Sequence, residues 1–321
     1  MTRRIIIPGA GSSGPLRSSG GANRKAPCRR ERERHRQGDR ASVLGTLLRR
    51  HGLTPEGGNL AQRGSALVHV VRDEDGRLLV IKQPGRRYGG DEQAWLSAHA
   101  SHPGVVDVLD ELGGLLLLRW VPGPLVAELP LGAAQHARAA GELLASLQRA
   151  PDRAAAGLSR RIIAAGRRLP GSAAAEIQRC HERLTAGLAA RTASDHGRWA
   201  YLHADFHPRN LILSPDGLVA LDPFGLAGPP AWDLAQFAAI AYGGAQLDEP
   251  PPLSHDAILT QLVVGFGRTP ALLEEMAAYW LILVQRMRRK LGRRPSPWLD
   301  SVADEYARRK PCRRQRSTCC A

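Results

Sequence analysis

Apolar residues at Val43, Leu44, Leu47 and Leu48, ahead of His51-Gly52, recur at the three- and four-residue spacing of an amphipathic helix, which predicts that a helix opens the folded part near residue 42. Two β-prone runs follow, Ala66 to Val71 and Leu78 to Ile81, and the Asp73-Glu74-Asp75-Gly76 segment between them is a strong hairpin turn. Glu92 to His99 reads as a short helix, Val105 to Leu109 and Leu115 to Trp120 as two more strands, and Val121-Pro122-Gly123 breaks the sheet. From 131 to 192 the chain is Ala/Leu/Arg-rich and helical in pattern, with breaks near Pro151 and at Pro170-Gly171. Short strand-like pieces at Ala200 to His203, Leu211 to Leu213 and Leu218 to Leu221 then surround a polar loop. The plan is α+β, a small sheet with one helix followed by a larger, mainly helical part.

Residues 1–40 lack this periodicity. Rich in Gly, Ser and Arg, they cannot bury enough apolar surface to offset the cost of ordering, and they read as a disordered basic extension. Within them, Gly9-Ala10-Gly11-Ser12-Ser13-Gly14 matches the GxGxxG dinucleotide fingerprint letter for letter. That fingerprint works only where a helix begins and receives the pyrophosphate, and Pro15-Leu16-Arg17-Ser18-Ser19-Gly20-Gly21 starts no helix. The match is a decoy.

With 43% hydrophobic residues in a chain of 321, one large or two modest domains can fill a core, so wholesale disorder is excluded. Uncharged runs such as 112–118 and 276–285 fall short of the roughly 18 to 20 apolar residues of a membrane span, so no membrane is expected as a partner. Ile5, Ile6 and Ile7 run at once into Pro8, which argues against an export signal. Of the five cysteines only Cys180 lies in the body, and one thiol cannot staple a domain; a reducing, cytoplasmic setting is expected.

The net charge of +15 suggests nucleic acid until it is mapped. Residues 1–40 carry +8 and residues 306–321 carry +6, leaving a body of +1. A nucleic-acid-binding domain carries its basic excess on the folded surface. Contact with nucleic acid is therefore expected only non-specifically, through the tails.

The chemistry concentrates in His203-Ala204-Asp205-Phe206-His207-Pro208-Arg209-Asn210, followed twelve residues after Asn210 by Asp222-Pro223-Phe224-Gly225 and then by Asp233. Phosphoryl transfer requires a group to orient or deprotonate an attacking hydroxyl, and oxygen ligands to hold Mg²⁺ on the phosphates. An Asp and an Asn five residues apart on one loop can divide those tasks, and a carboxylate at the end of the next strand completes a metal site. Asp205, Asn210 and Asp222 fit those places. Two plainer readings stand beside this one. Asp205 and Asn210 are common turn formers, and His203, Asp205 and His207 alternate as zinc ligands on a strand would, although no further Cys or His lies at ligand spacing.

The segment resembles the aminoglycoside phosphotransferase family, small-molecule kinases with a two-lobed protein-kinase-like fold whose catalytic loop reads HxDxxxxN. The run Asp222-Pro223-x-Gly225-x-x-Gly228-x-Pro230-x-x-Asp233-Leu234-Ala235 looks most like the streptomycin 6-kinase branch, also labelled aminoglycoside/hydroxyurea resistance kinases. The resemblance spans about residues 42–300 and implies a nucleotide-binding N-lobe over 41–121, a catalytic and acceptor-binding C-lobe over 122–305, and a disordered basic tail from 306 to 321.

It implies ATP and Mg²⁺ as cofactors, with Asp205 catalytic and Asn210 and Asp222 on the metal. Lys82, ending its strand, would reach the phosphates, and Glu92, ten residues on, would hold Lys82. Ser65, in Arg63-Gly64-Ser65-Ala66, would cover the phosphates, and the backbone at Arg119 and Val121 would meet adenine. His203 would brace the loop, and Asp233 would accept hydrogen bonds from its backbone. The implied acceptor is a small-molecule hydroxyl, most closely that of a cationic aminoglycoside; Asp248, Glu249, Glu274 and Glu275 are available to bind such a cation. Choline, a sugar, an amino sugar or homoserine are alternative acceptors on this fold, and a non-catalytic nucleotide-binding or nucleic-acid-tethered protein is the alternative of another class. Arg209 replaces a common Gly and Phe224 a common Lys of the relatives.

Overall fold

A computed structural model describes residues 42–56, 61–63, 66–84, 90–129, 135–150, 157–158, 175–192, 199–243, 251–290 and 297–309. The Gly9–Gly14 motif, Ser65 with its turn, Asp248 and Glu249 lie outside the described residues.

Helix α1 spans 42–50. Strands β1 (Thr54–Pro55), β2 (Ala61–Arg63), β3 (Ala66–Arg72), β4 (Leu78–Lys82), β5 (Val108–Leu112) and β6 (Leu115–Arg119) form an antiparallel sheet of order β1-β3-β4-β6-β5, with β2 paired to β3. Alternation divides the sheet into two faces. Leu47 of α1 packs with Val71, Ile81, Leu115 and Leu117 in a small core under α1, whereas Leu116 and Leu118 join the main core on the other side. Lys82 is registered opposite Leu116 and Val68, so the strand delivers it to the face toward the C-lobe. The expected strand at Val105 begins three residues later, at Val108, because Val105 makes an isolated parallel bridge to Ala220.

Helix α2 (Glu92–Ala98) starts at Asp91, whose carboxylate accepts from the Ala94 N–H at 3.1 Å, a standard N-cap bond. Although α2 lies between sheet strands in sequence, its Trp95 and Leu96 belong to the main core that it shares with the C-lobe. The Trp95 indole N–H donates to the Tyr201 carbonyl at 3.2 Å. Gly90, just before α2, is backed so closely by the chain at Phe224 that a Cβ would lie 2.0 Å from the Phe224 carbonyl oxygen. Gly225, at φ 63°, is similarly close to the Asp91 carbonyl. Only glycines permit this backbone contact.

The C-lobe is helical: α3 (Ala137–Ser146), α4 (Ala175–Thr192), α5 (Ala231–Gly243), α6 (His255–Phe266), α7 (Leu273–Lys290) and α8 (Pro297–Arg308). Strand β7 (Ala200–Leu202) pairs with β10 (Leu226–Gly228), and β8 (Leu211–Ser214) forms a hairpin with β9 (Gly217–Ala220). Helix α5 is nearly all apolar and buried around its circumference, as expected of the helix at the centre of a lobe.

The C-terminal boundary corrects the expected tail. Tyr306 and Ala307 are each 3% exposed in the core, and Arg309 pairs with Asp256, Glu305 and Glu274 at 2.9, 2.8 and 3.5 Å. Its guanidinium also lies 4.1 Å from the centre of the Tyr306 ring. Residues 306–309 are thus part of the fold; their basic composition hid an apolar stripe at Leu299, Ala303 and Tyr306. Among the described residues no helix is long and apolar enough to cross a membrane.

Candidate active site

Between the lobes, the Lys82 ammonium contacts the Glu92 carboxylate at 2.5 Å and hydrogen-bonds the Asp222 carboxylate. Lys82 and Glu92 are 4% and 3% exposed, whereas the Asp222 side chain is about half exposed. Burial alone would depress the lysine pKa, but the two carboxylates outweigh it and hold the pKa above the ordinary value, so the ammonium stays charged. Asp222 has φ 58°, a left-handed conformation that is uncommon for a residue with a Cβ and is kept here by the backbone around it.

That backbone is tied to the loop before β8. The Phe224 N–H donates to the His203 carbonyl at 2.7 Å, and the Leu221 N–H to the Asn210 carbonyl at 2.8 Å. The ring of Phe224 is buried in the main core, and Arg209 is exposed. His203 joins the two segments through its ring: Nε2 bonds the Leu221 carbonyl at 2.8 Å, and Nδ1 accepts from the Asp205 N–H at 3.3 Å. Complete burial pushes the His203 pKa down to about 4, so the ring is neutral at physiological pH, with its proton on Nε2.

Asp233, in the first turn of α5, grips the same loop. Its two carboxylate oxygens accept from the His203 and Ala204 N–H groups at 3.0 and 2.9 Å. Ala204 has φ 63°, and this pair of charge-assisted bonds offsets the strain of that conformation. The loop then closes in a single 3₁₀ turn at Pro208–Asn210, capped by His207, whose Nδ1 accepts from the Arg209 N–H at 3.2 Å. The turn points the Asn210 amide back at Asp205, donating to its carbonyl at 3.0 Å and its carboxylate at 3.2 Å.

The other carboxylate oxygen of Asp205 accepts from the Gln236 side-chain amide of α5 at 3.1 Å. Sequence reasoning passed over Gln236. The available signal was a polar residue one turn after Asp233 in an otherwise apolar helix.

Glu274 and Glu275 do not belong to this cluster. Glu274 pairs with Arg309, and Glu275 lies by Cys180. At the end of β6 the Arg119 N–H is taken by the Asp107 carbonyl at 3.0 Å, which leaves its carbonyl as the backbone group for any further contact; Val121 follows just beyond the last strand residue.

Asn210 and Asp222 offer hard oxygen donors at the end of the β8–β9 hairpin, the donor type that suits Mg²⁺. Among the described residues no group of three or more His, Cys, Asp or Glu could hold a metal ion.

A sequence model of the phosphotransferase enzyme family matches residues 60–288. No curated protein sequence matches the chain. Among solved structures, the amicoumacin kinase hAmiN, in complex with AMP-PNP, Ca²⁺ and Ami, is similar with a TM-score of 0.55 at 13% identity, covering 85% of this chain and 94% of its own. The macrolide 2′-phosphotransferase MphH of Brachybacterium faecium has a TM-score of 0.50 at 20% identity, covering 84% and 99%. The aminoglycoside phosphotransferase APH(3″)-Id of Streptomyces rimosus has a TM-score of 0.50 at 19% identity, covering 77% and 97%.

Proposed function

The chain belongs to the phosphotransferase enzyme family, and on that footing we propose that it transfers the γ-phosphoryl group of ATP to a hydroxyl of a small molecule, an aminocyclitol antibiotic such as streptomycin. The observation that carries the reading is the joining of two separately encoded pieces. The Lys82–Glu92 pair of the N-lobe and the Asp205–Asn210 loop of the C-lobe meet through Asp222.

Lys82 supplies fixed positive charge for the nucleotide phosphates, oriented by Glu92 so that little reorganisation is needed during transfer. Asp205 orients the acceptor hydroxyl and takes its proton as the oxygen attacks phosphorus. Asn210 and Asp222 would hold Mg²⁺, which when bound neutralises phosphate charge. His203 and Asp233 act through the loop backbone, fixing where Asp205 stands. The Arg119 carbonyl and the Val121 backbone would complete the nucleotide end. The aminocyclitol assignment rests on the run from Asp222 to Ala235.

The test is incubation of the full chain with ATP, Mg²⁺ and a panel comprising streptomycin, other aminoglycosides, choline, amino sugars and homoserine, read by mass spectrometry for a phosphorylated product. Phosphorylated streptomycin supports the reading. A product from choline, a sugar or homoserine alone replaces the acceptor, and ATP binding with no transfer to any acceptor favours a non-catalytic nucleotide-binding protein.

A further inference from the structure

Helix α5 is composed of apolar side chains with few exceptions. Apart from Tyr242 and the Trp232 indole, its polar side chains are Asp233 and Gln236, three residues apart and on one face. Both are turned onto the catalytic loop, Asp233 onto its backbone and Gln236 onto the Asp205 carboxylate. Gln236 is 1% exposed, and its Oε1 is buried with no hydrogen-bond partner among the described residues.

An unpaired buried carbonyl is costly. If packing were the only demand, Leu or Met would fill this space without that penalty. The amide can settle its orientation in only one way, because turning it over would set Oε1 against a carboxylate oxygen. The energetic sacrifice at Oε1 is therefore tied to one bond, Gln236 Nε2–H to Asp205 Oδ1.

We propose that Gln236 is a positioning residue for Asp205: it anchors Oδ1 from the rigid side of the site and so fixes the carboxylate rotamer that aims Oδ2 toward the acceptor. This inference rests on the role of Asp205 in the proposed function. Oδ2 is the oxygen that the Asn210 amide reaches and that lies 3.7 Å from His207 Nε2.

The experiment uses the full chain as wild type, Gln236→Leu and Gln236→Glu, with a crystal structure and a thermal melt of each. Gln236→Leu removes the donor, so the Asp205 carboxylate should leave the rotamer it holds against α5. Gln236→Glu sets a like charge against Oδ1 and should turn the carboxylate further away. In whatever transfer reaction the wild type shows, Gln236→Leu should lower kcat at least tenfold at neutral pH with the KM for ATP within about threefold.

An Asp205 side chain in the same rotamer in all three proteins would overturn the proposal, as would a loss of kcat that Gln236→Leu shows only in proportion to lost folded protein. Because the side-chain position is read without an acceptor, it is decided separately from the function: a displaced Asp205 with no phosphorylated product from any acceptor sinks the kinase reading and leaves the positioning contact standing.

Discussion

Asn210 donates from one amide to both the carbonyl and the carboxylate of Asp205, at 3.0 and 3.2 Å. The residue proposed to meet the acceptor and the residue proposed to meet the metal are therefore mechanically coupled, yet their losses should differ. Asp205→Ala removes the acceptor contact and leaves the nucleotide contacts in place. Transfer should fall by about 10²-fold or more while the Kd for ATP changes only a few-fold. Near wild-type turnover in this variant, measured by ADP release, would remove Asp205 from the chemistry.

Asn210→Ala and Asp222→Ala should both weaken Mg²⁺-dependent use of ATP. Asp222 carries a full charge and also contacts Lys82, whereas Asn210 is a neutral donor. Raising Mg²⁺ should consequently restore Asn210→Ala more completely than Asp222→Ala. Turnover measured across a Mg²⁺ series checks this, and a response flat in both variants would put the metal elsewhere.

Acid should destabilise the fold through two buried histidines. The pKa of His203 is pushed down to about 4, and desolvation lowers that of His255 to about 3, from 6.5. The unfolded chain thus takes up these protons first, so the stability they leave intact above pH 6.5 is lost as pH falls toward 4. For His203 the loss approaches about 3 kcal/mol at the lower end. Melting at pH 5 should come on the order of 10 °C below pH 7, given the Tm sensitivity of a chain this size. His255→Phe should recover part of that difference. A Tm unchanged between pH 7 and pH 5 would contradict the assignment of these rings as buried and neutral.

Two truncations separate the tails from the fold. Residues 42–309 should keep folding and transfer, and should lose any salt-sensitive binding to DNA or RNA, because the +8 of residues 1–40 and the remaining C-terminal basic residues are gone. Ending the chain at Glu305 deletes buried Tyr306 and the Arg309 ion pairs, and should cost roughly 3 to 5 kcal/mol, the scale of removing a buried aromatic. Urea unfolding of the two proteins, with nucleic-acid binding at low and moderate salt, measures both effects. Equal stability would place the helix end outside the cooperative fold, and tight, salt-resistant binding by 42–309 would point to a nucleic-acid surface on the body.

The parts legible in the sequence were those with a local signature. Lys82 ends an apolar β run and Glu92 opens a helix, so both could be placed from strand and helix pattern alone. The contact that brings Asp222 to Lys82 spans 140 positions and has no such signature. Gln236 was hidden for a related reason: a single polar residue in an apolar helix is legible as a functional group only once the helix is seen beside Asp205. Tyr306 to Arg309 were misread because charge composition was weighed over three- and four-residue spacing. Glu274 and Glu275 could not be told from acceptor-binding carboxylates, since sequence does not say which side of α7 faces the cleft.

Gly90→Ala tests the junction between α2 and the C-lobe. The new methyl would meet the Phe224 carbonyl oxygen, which belongs to backbone and cannot rotate away, so α2 should be displaced and the Lys82–Glu92 pair loosened. Transfer should fall at least tenfold with a lowered Tm. Wild-type activity in this variant would show that the contact is not needed.

The seam formed by Gly90, Gly225 and the Trp95–Tyr201 bond has a consequence for how the protein responds to its surroundings. Where a helix bearing the lysine's partner can swing, part of every nucleotide's binding free energy goes to drawing it in, and a second signal can decide whether it comes. Here that helix is built into the larger lobe's interior, with Trp95 and Leu96 in the core it shares with the C-lobe. A swing of α2 would have to pull Trp95 out of that core and break its bond to the Tyr201 carbonyl. On the proposed function, an activator would then have little motion of this helix to gate, and output would follow the amounts of protein and acceptor.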